Sequence, residues 1–233
     1  MTKASSSDSP TAEVDVAVAF ASLLPDIVAV VTMSGAGDSG VVLHPEEADR
    51  LPSRVLPSRR RDYTLGRHAA RQALVQIGVT PGPILTGERR EPLWPDGVVG
   101  AISHAAGVVT AAVALESECG GIGIDLEHRG RYFPELVDLI AFGDERIAIR
   151  GAEDPVAAAL ELFSAKESIY KAFSPRVGRY FGFAAAHVHW VDDGIVARLI
   201  EPLDRMYPAD RDIPVNVAWA GGLAVTAVAL PPD

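Results

Sequence analysis

The sequence predicts an α+β fold with antiparallel sheets divided between two lobes. Strand-like and helix-like stretches alternate twice before the chain ends in two hairpin patterns. The length, 233 residues, suits one large domain or two small lobes, and 48% hydrophobic with 22% charged residues provides for a core without staples. Turn-forming residues near 115–121 mark the join, giving an N-terminal lobe over 14–118 and a C-terminal lobe over 119–233.

Residues 1–13 open polar and serine-rich and are predicted to be a disordered leader. Residues 14–33 are apolar-rich, but Asp15, Pro25 and Asp26 interrupt them, which excludes a membrane span or a signal-peptide core. A strand is predicted over 28–33. Helices follow over 46–50 and 60–77, the second amphipathic through Tyr63, Ala70, Leu74 and Ile77 and closed by Gly78. Residues 80–97, dense in proline, glycine and charge, read as a loop. Strands are predicted over 98–104, 108–115 and 122–127, the last two as a hairpin across the turn at 116–121. Helices are predicted over 134–150 and 155–173, the latter stopped by Ser174-Pro175. Two hairpins complete the chain, 187–200 turning at Asp192-Asp193-Gly194 and 215–230 turning at Gly221-Gly222. No short-period repeat is present, which excludes solenoids and propellers.

A net charge of −10 argues against general affinity for nucleic acid or anionic membrane. Against that background Arg50, Arg54, Arg59, Arg60, Arg61, Arg67 and Arg71 crowd one short window, with Asp62 as an acid inside it. Such a cluster is either a solvated helix face or the site of a discrete anion. The single cysteine, Cys119, excludes an internal disulfide framework and fits a cytoplasmic protein.

In the strand Gly121-Ile122-Gly123-Ile124-Asp125-Leu126-Glu127 the period of two puts Ile122, Ile124 and Leu126 on one face and Gly123, Asp125 and Glu127 on the other. The two carboxylates repel, the glycine leaves room for something large, and a hard cation such as magnesium resolves the repulsion. The competing reading is an acidic strand facing solvent. On the following helix Val156, Leu160 and Phe163 form a core-facing stripe whose next member is Glu167. A carboxylate there needs a partner, and Lys171, one turn on, supplies it as a simple i, i+4 pair. Lys166 neighbours the stripe.

Four segments in order carry a family resemblance. Gly123-Ile124-Asp125-Leu126-Glu127 and Phe163-Ser164-Ala165-Lys166-Glu167-Ser168-Ile169-Tyr170-Lys171 resemble the two signatures of phosphopantetheinyl transferases. Arg90-Glu91-Pro92-Leu93-Trp94-Pro95-Asp96-Gly97, leading into Gly100-Ala101-Ile102-Ser103-His104, resembles the upstream block of the larger, pseudo-dimeric class serving siderophore, polyketide and nonribosomal peptide synthases. The resemblance runs from about Arg59 to the end.

It implies two similar α/β lobes related by a pseudo-twofold, with coenzyme A in the cleft between them. It implies a magnesium ion, with manganese as the alternative, on Asp125, Glu127 and Glu167, and catalytic roles for Glu167, Lys171 and Glu127. It places Lys166 and Lys171 near the pyrophosphate, Ser103-His104 at the nucleotide with His104 on the 3′-phosphate, and Arg59, Arg60, Arg67 and Arg89 among the cofactor-binding residues. Which member of Arg59-Arg60-Arg61 points inward stays open, and Arg89 stands where the family pattern has lysine. The implied partners are apo acyl or peptidyl carrier proteins, met by a monomer in the cytoplasm. Because the chain is acidic overall, docking falls to local basic or apolar surface, and the segment holding Arg176, Arg179, Tyr180 and Phe181 is either that surface or an ordinary solvated loop. Two rival readings use the same residues: a metal-dependent hydrolase of nucleotide pyrophosphates, and a module that binds coenzyme A or a carrier without catalysis.

Overall fold

The computed structural model describes residues 10–35, 40–52, 54–191 and 194–232. Its elements are α1 (Pro10–Leu23), β1 (Ala29–Ser34), α2 (Pro45–Ala48), α3 (Pro57–Gln76), β2 (Val98–Ala105), β3 (Val108–Leu115) and β4 (Gly121–His128). There follow α4 (Leu136–Ile140), α5 (Asp144–Gly151), α6 (Pro155–Val177), β5 (Ala186–Val191), β6 (Gly194–Leu199), β7 (Asp212–Ala220) and β8 (Leu223–Leu230). No described helix is long and apolar enough to cross a membrane.

The strands form two antiparallel sheets, β1-β3-β2 and β4-β8-β7-β6-β5. The first three strands of the second sheet repeat the order of the first, and α3 and α6 pack on corresponding strands. A buried carboxylate marks the repeat. Glu47 accepts hydrogen bonds from the N–H of His44 (2.9 Å) and of Ile84 (2.9 Å), and from Arg71 Nη1 on α3 (2.6 Å). Glu145 accepts from the N–H of Phe142 (2.7 Å) and of Val188 (2.7 Å), and from Lys166 Nζ on α6 (2.8 Å). In each half one acid ties a short helix, a long helix and the segment after it. The two lobes are therefore similar in detail as well as in strand order.

They are not independent. The inward faces of both sheets share one core, with Ala101 and Ala112 from the first, Ile122, Ile124, Leu126 and Val225 from the second, and Val16 and Phe20 from α1. Alternation along β3 explains how: Ala112 and Ala114 turn to this shared core while Ala111 and Val113 turn to α3. Strands β2 and β4 lie alongside each other without a backbone ladder. A side chain takes the ladder's place, as Ser103 Oγ accepts from the Leu126 N–H (3.1 Å).

Four expectations are corrected. Strands β3 and β4 are not a hairpin: β3 turns back on β2 through Ala106 (φ 49°) and Gly107 (φ 84°), and β4 pairs with β8. The expected leader is helical from Pro10, and residues 1–9 lie outside the described residues. The helix expected over 134–150 is two, parted around Gly143, whose φ of 54° breaks helical geometry. Helix α6 runs through Pro175 and ends at Gly178 (φ 64°), because so near a C-terminus the proline removes a single N–H. The hairpin at Gly221-Gly222 (φ 56° and 81°) forms as expected, whereas Asp192 and Asp193 lie outside the described residues.

Candidate active site between the lobes

Glycine spacing on β4 brings the site together. A Cβ on Gly123 would stand 1.7 Å from the Ser168 carbonyl oxygen, and one on Gly121 would stand 2.6 Å from that of Ala172. What the open face admits is thus the backbone of α6. Once α6 lies on β4, Asp125 and Glu127 face its residues 167–171, with Ile122, Ile124 and Leu126 in the shared core behind them.

Helix α6 starts at Asp154, whose side chain accepts from the Ala157 N–H (3.0 Å). It is enclosed nearly all round: between Ala158 and Ser174 only Glu161, Phe163, Glu167, Tyr170 and Lys171 escape full burial. The stripe through Phe163 and Glu167 is therefore the face that opens toward the cleft, not the core face. The expected Glu167–Lys171 pair is also replaced. Lys171 Nζ crosses to β4, donating to Asp125 Oδ1 (2.7 Å) and the Ile124 carbonyl (3.0 Å).

Asp125 is 4% exposed. Its Oδ1 takes a second hydrogen bond from Ser103 Oγ (3.0 Å), and its Oδ2 is buried with no hydrogen-bond partner. An orphaned buried carboxylate oxygen is costly and calls for an explanation. Its neighbours are acids. Burial, then Asp125, push the Glu127 carboxyl up to about 7, with Glu167 adding to the rise and Arg131 and Lys171 opposing it. Glu167 is raised mainly by burial, with Lys171 lowering it and Asp125 raising it. Among the described residues no three such groups are drawn to coordinating distance, and the Lys171 ammonium supplies the countercharge. The donor set is all oxygen, which fits a hard divalent cation.

Three cavities meet here. An inner one of about 150 Å³ is walled by Ile169, Tyr170, Phe181, Phe183 and Leu203 and reaches Glu167. A middle one runs from Glu167 and Lys171 past Tyr170 to Arg89, Arg90 and Trp94. An outer one of about 540 Å³ holds Arg50, Arg59, Asp62, Arg67, Arg90 and His104. Glu167 borders the inner and middle spaces, and Arg90 the middle and outer ones.

Residues 46–114 match the profile described as the 4'-phosphopantetheinyl transferase N-terminal domain, and residues 121–218 match that of the 4'-phosphopantetheinyl transferase superfamily. The chain belongs to the 4'-phosphopantetheinyl transferase superfamily. It is 37% identical to the 4'-phosphopantetheinyl transferase Svp of Streptomyces mobaraensis, over 81% of this chain and 79% of that protein. It is 40% identical to the 4'-phosphopantetheinyl transferase PptT of Mycobacterium tuberculosis, over 66% and 68%. It is also 34% identical to enterobactin synthase component D of Salmonella typhi, over 73% and 71%. Consecutive matches to both halves identify a phosphopantetheinyl transferase of the larger class.

Within the transferase the predicted residues divide. Asp125, Glu127, Glu167 and Lys171 come together, and Arg59, Arg67 and His104 line the outer cavity. Arg67 is 5% exposed, its Nη2 on Thr86 Oγ1 (2.9 Å) and its guanidinium over the Tyr63 ring, while its Nε has no hydrogen-bond partner. Arg89 lines the middle cavity and donates to the Gly178 carbonyl.

Other assignments change. Arg60 is exposed and lines none of these cavities, because it points away from the face of α3 that carries Arg59 and Arg67. Ser103 Oγ donates to Asp125 and accepts from the Leu126 N–H, so its hydroxyl braces the carboxylate. Lys166 is the C-terminal counterpart of Arg71. Its three donors are engaged by Glu145, the Ile140 carbonyl (2.9 Å) and the Phe183 carbonyl (3.1 Å), an enclosed ion pair like that of Arg71. The expected docking segment divides: Arg179 and Tyr180 are exposed, Phe181 is buried, and Arg176 is partly buried, donating to Asp204 and the Gly120 carbonyl. Sequence reasoning missed Arg90, held at φ 69° at the tip of a turn closed by Gly87 N–H to Glu91 O (2.8 Å). Its signal was there, as the arginine opening the Arg90–Gly97 block.

Proposed function

We propose that the cleft between the lobes transfers the 4'-phosphopantetheine group of coenzyme A to a serine of an apo acyl or peptidyl carrier protein, releasing 3',5'-ADP. The observation that carries the site assignment is the buried, unpartnered Oδ2 of Asp125 beside Glu127 and Glu167. These three carboxylates would hold magnesium, with manganese as the alternative. When bound, the ion supplies neutralising charge at the pyrophosphate.

The remaining work falls to this chain's own residues. Arg59, Arg67 and His104 take the nucleotide phosphates in the outer cavity by charge-assisted hydrogen bonds, with Arg90 at its border. Lys171, in the middle cavity, adds fixed positive charge where the leaving group gains negative charge. The apolar inner cavity takes the pantetheine arm, leaving the scissile phosphorus beside Glu167. Glu167 is the base for the serine hydroxyl. It borders both cavities, whereas Glu127 lines neither. Such chemistry is chiefly positioning and charge stabilisation. The residues named for the site all lie in one chain, so a monomer suffices, and the single cysteine supports a cytoplasmic location.

The test incubates the protein with coenzyme A, magnesium and a panel of apo carriers and reads intact masses. A phosphopantetheine-sized gain on a carrier is expected. No gain on any carrier, beside a working control transferase, overturns the reading. Coenzyme A consumed without carrier would instead mark a hydrolase.

A further inference from the structure

The outer cavity contains an acid among its cations. Arg59, Asp62, Tyr63, Gly66 and Arg67 form the face of α3 that lines it, at helical spacing. A carboxylate in a space that receives phosphate works against binding. Asp62 is nonetheless well enclosed, its side chain 16% exposed. Both of its oxygens are directed. Oδ1 accepts from Arg61 Nε and Nη2 (3.4 Å each), and Oδ2 stands 3.5 Å from His104 Nδ1. Arg61 is itself braced against the backbone at Gly35, where a Cβ would stand 3.1 Å from its Cδ. Arg61, Asp62 and His104 thus form a run of charged neighbours from the outside of α3 to a histidine that lines the cavity. Among the described residues His104 Nε2 has no partner within the protein.

We propose that Asp62 is a positioning residue for coenzyme A, holding the His104 proton on Nδ1 so that the 3'-phosphate is bound only when Nε2 takes up a second proton. This rests on the assignment of the outer cavity to the nucleotide. A histidine tautomer is set by what its other nitrogen bonds. With Nδ1–H directed at Asp62, a neutral ring presents a lone pair to the phosphate, which repels it. Protonation turns that lone pair into a donor. The groups facing His104 are Asp62 and Arg59 from α3, Lys171 from α6 and Asp125 from β4. In the free protein burial, the foremost cause, keeps the ring below its ordinary value, with Lys171 and Arg59 in the same direction and the two acids opposing. The half-exposed ring is thereby biased toward its neutral form, and an arriving phosphate dianion opposes that bias.

Calorimetry of coenzyme A binding in two buffers of different ionisation heat reads the proton count. At pH 8 wild-type protein is expected to take up close to one proton with coenzyme A and markedly fewer with dephospho-coenzyme A, which lacks the 3'-phosphate. Asp62→Asn keeps an acceptor for Nδ1 but removes the charge. It is expected to lose most of the uptake and to raise KM for coenzyme A about tenfold, more than it lowers kcat, and to move KM for dephospho-coenzyme A far less. In a His104→Gln background the same substitution is expected to add nothing. Equal proton uptake with both ligands in wild-type protein, a comparison that needs no variant, overturns the proposal. So does an equal rise in both KM values. A protein that binds coenzyme A with no uptake sinks the Asp62 role while the carrier mass gain still stands; one that binds neither ligand takes the nucleotide assignment with it.

Discussion

At the scale of single residues the site is a contest between burial and charge. Glu127 and Glu167 are both raised, the first to about 7. An acid raised on folding binds protons more tightly in the native state, so stability falls as pH climbs between its unfolded and folded values. Metal-free protein should therefore lose stability from about pH 4.5 to 7 and level off above. Glu127→Gln should flatten that slope, as thermal melts across the range will read; an unaltered slope would assign it elsewhere. As the proposed base, Glu167→Gln should cost about 10²–10⁴ in turnover, with carrier mass gain as the measurement and near-full turnover as the refuting result. These acids were legible because a D-x-E strand and a Lys-Glu helix fall in one chain with a cluster of arginines. The partner of each was not. Lys171 was open to pairing along its own helix, and only the approach of α6 to β4 decides that it reaches Asp125 instead. Lys166 shows the same limit, since adjacency to Glu167 in sequence turns it about 100° round α6, onto an enclosed flank where Glu145 holds it.

At the scale of elements, period and punctuation located nearly every helix and strand, and pairing was harder. Residues 116–121 look like a hairpin turn, yet β3 and β4 belong to different sheets. A turn signal reports that the chain changes direction, not which strand it meets next. Glycine was the other ambiguous letter. Gly123 reads as space, and what fills the space is a helix backbone. Gly123→Ala should therefore cost more than the ~1–3 kcal/mol of ordinary overpacking, because the obstacle is a carbonyl and not a flexible side chain. It should also part Asp125 from Lys171. Chemical denaturation and carrier modification measured together test this, and a variant close to wild type in both would show that α6 can shift without loss.

For the molecule as a whole, the strand orders β1-β3-β2 and β4-β8-β7 and the matched acids Glu47 and Glu145 describe a duplicated unit whose halves share a core. The two lobes were legible from the order of elements. Their common interior was not, because nothing in the pattern of α1 says that Phe20 will lie against strands of both sheets. Phe20, 0% exposed, is predicted to cost about 3–5 kcal/mol on replacement by alanine. The melt should keep a single transition; two separated transitions would mean that the halves unfold apart. The Lys171–Asp125 contact has a bearing on how the protein lives without its ion. Its ammonium is a counterion tethered to the chain, which dialysis cannot remove and chelators cannot capture. One fixed positive charge thereby stays beside Asp125 whatever the supply of divalent metal.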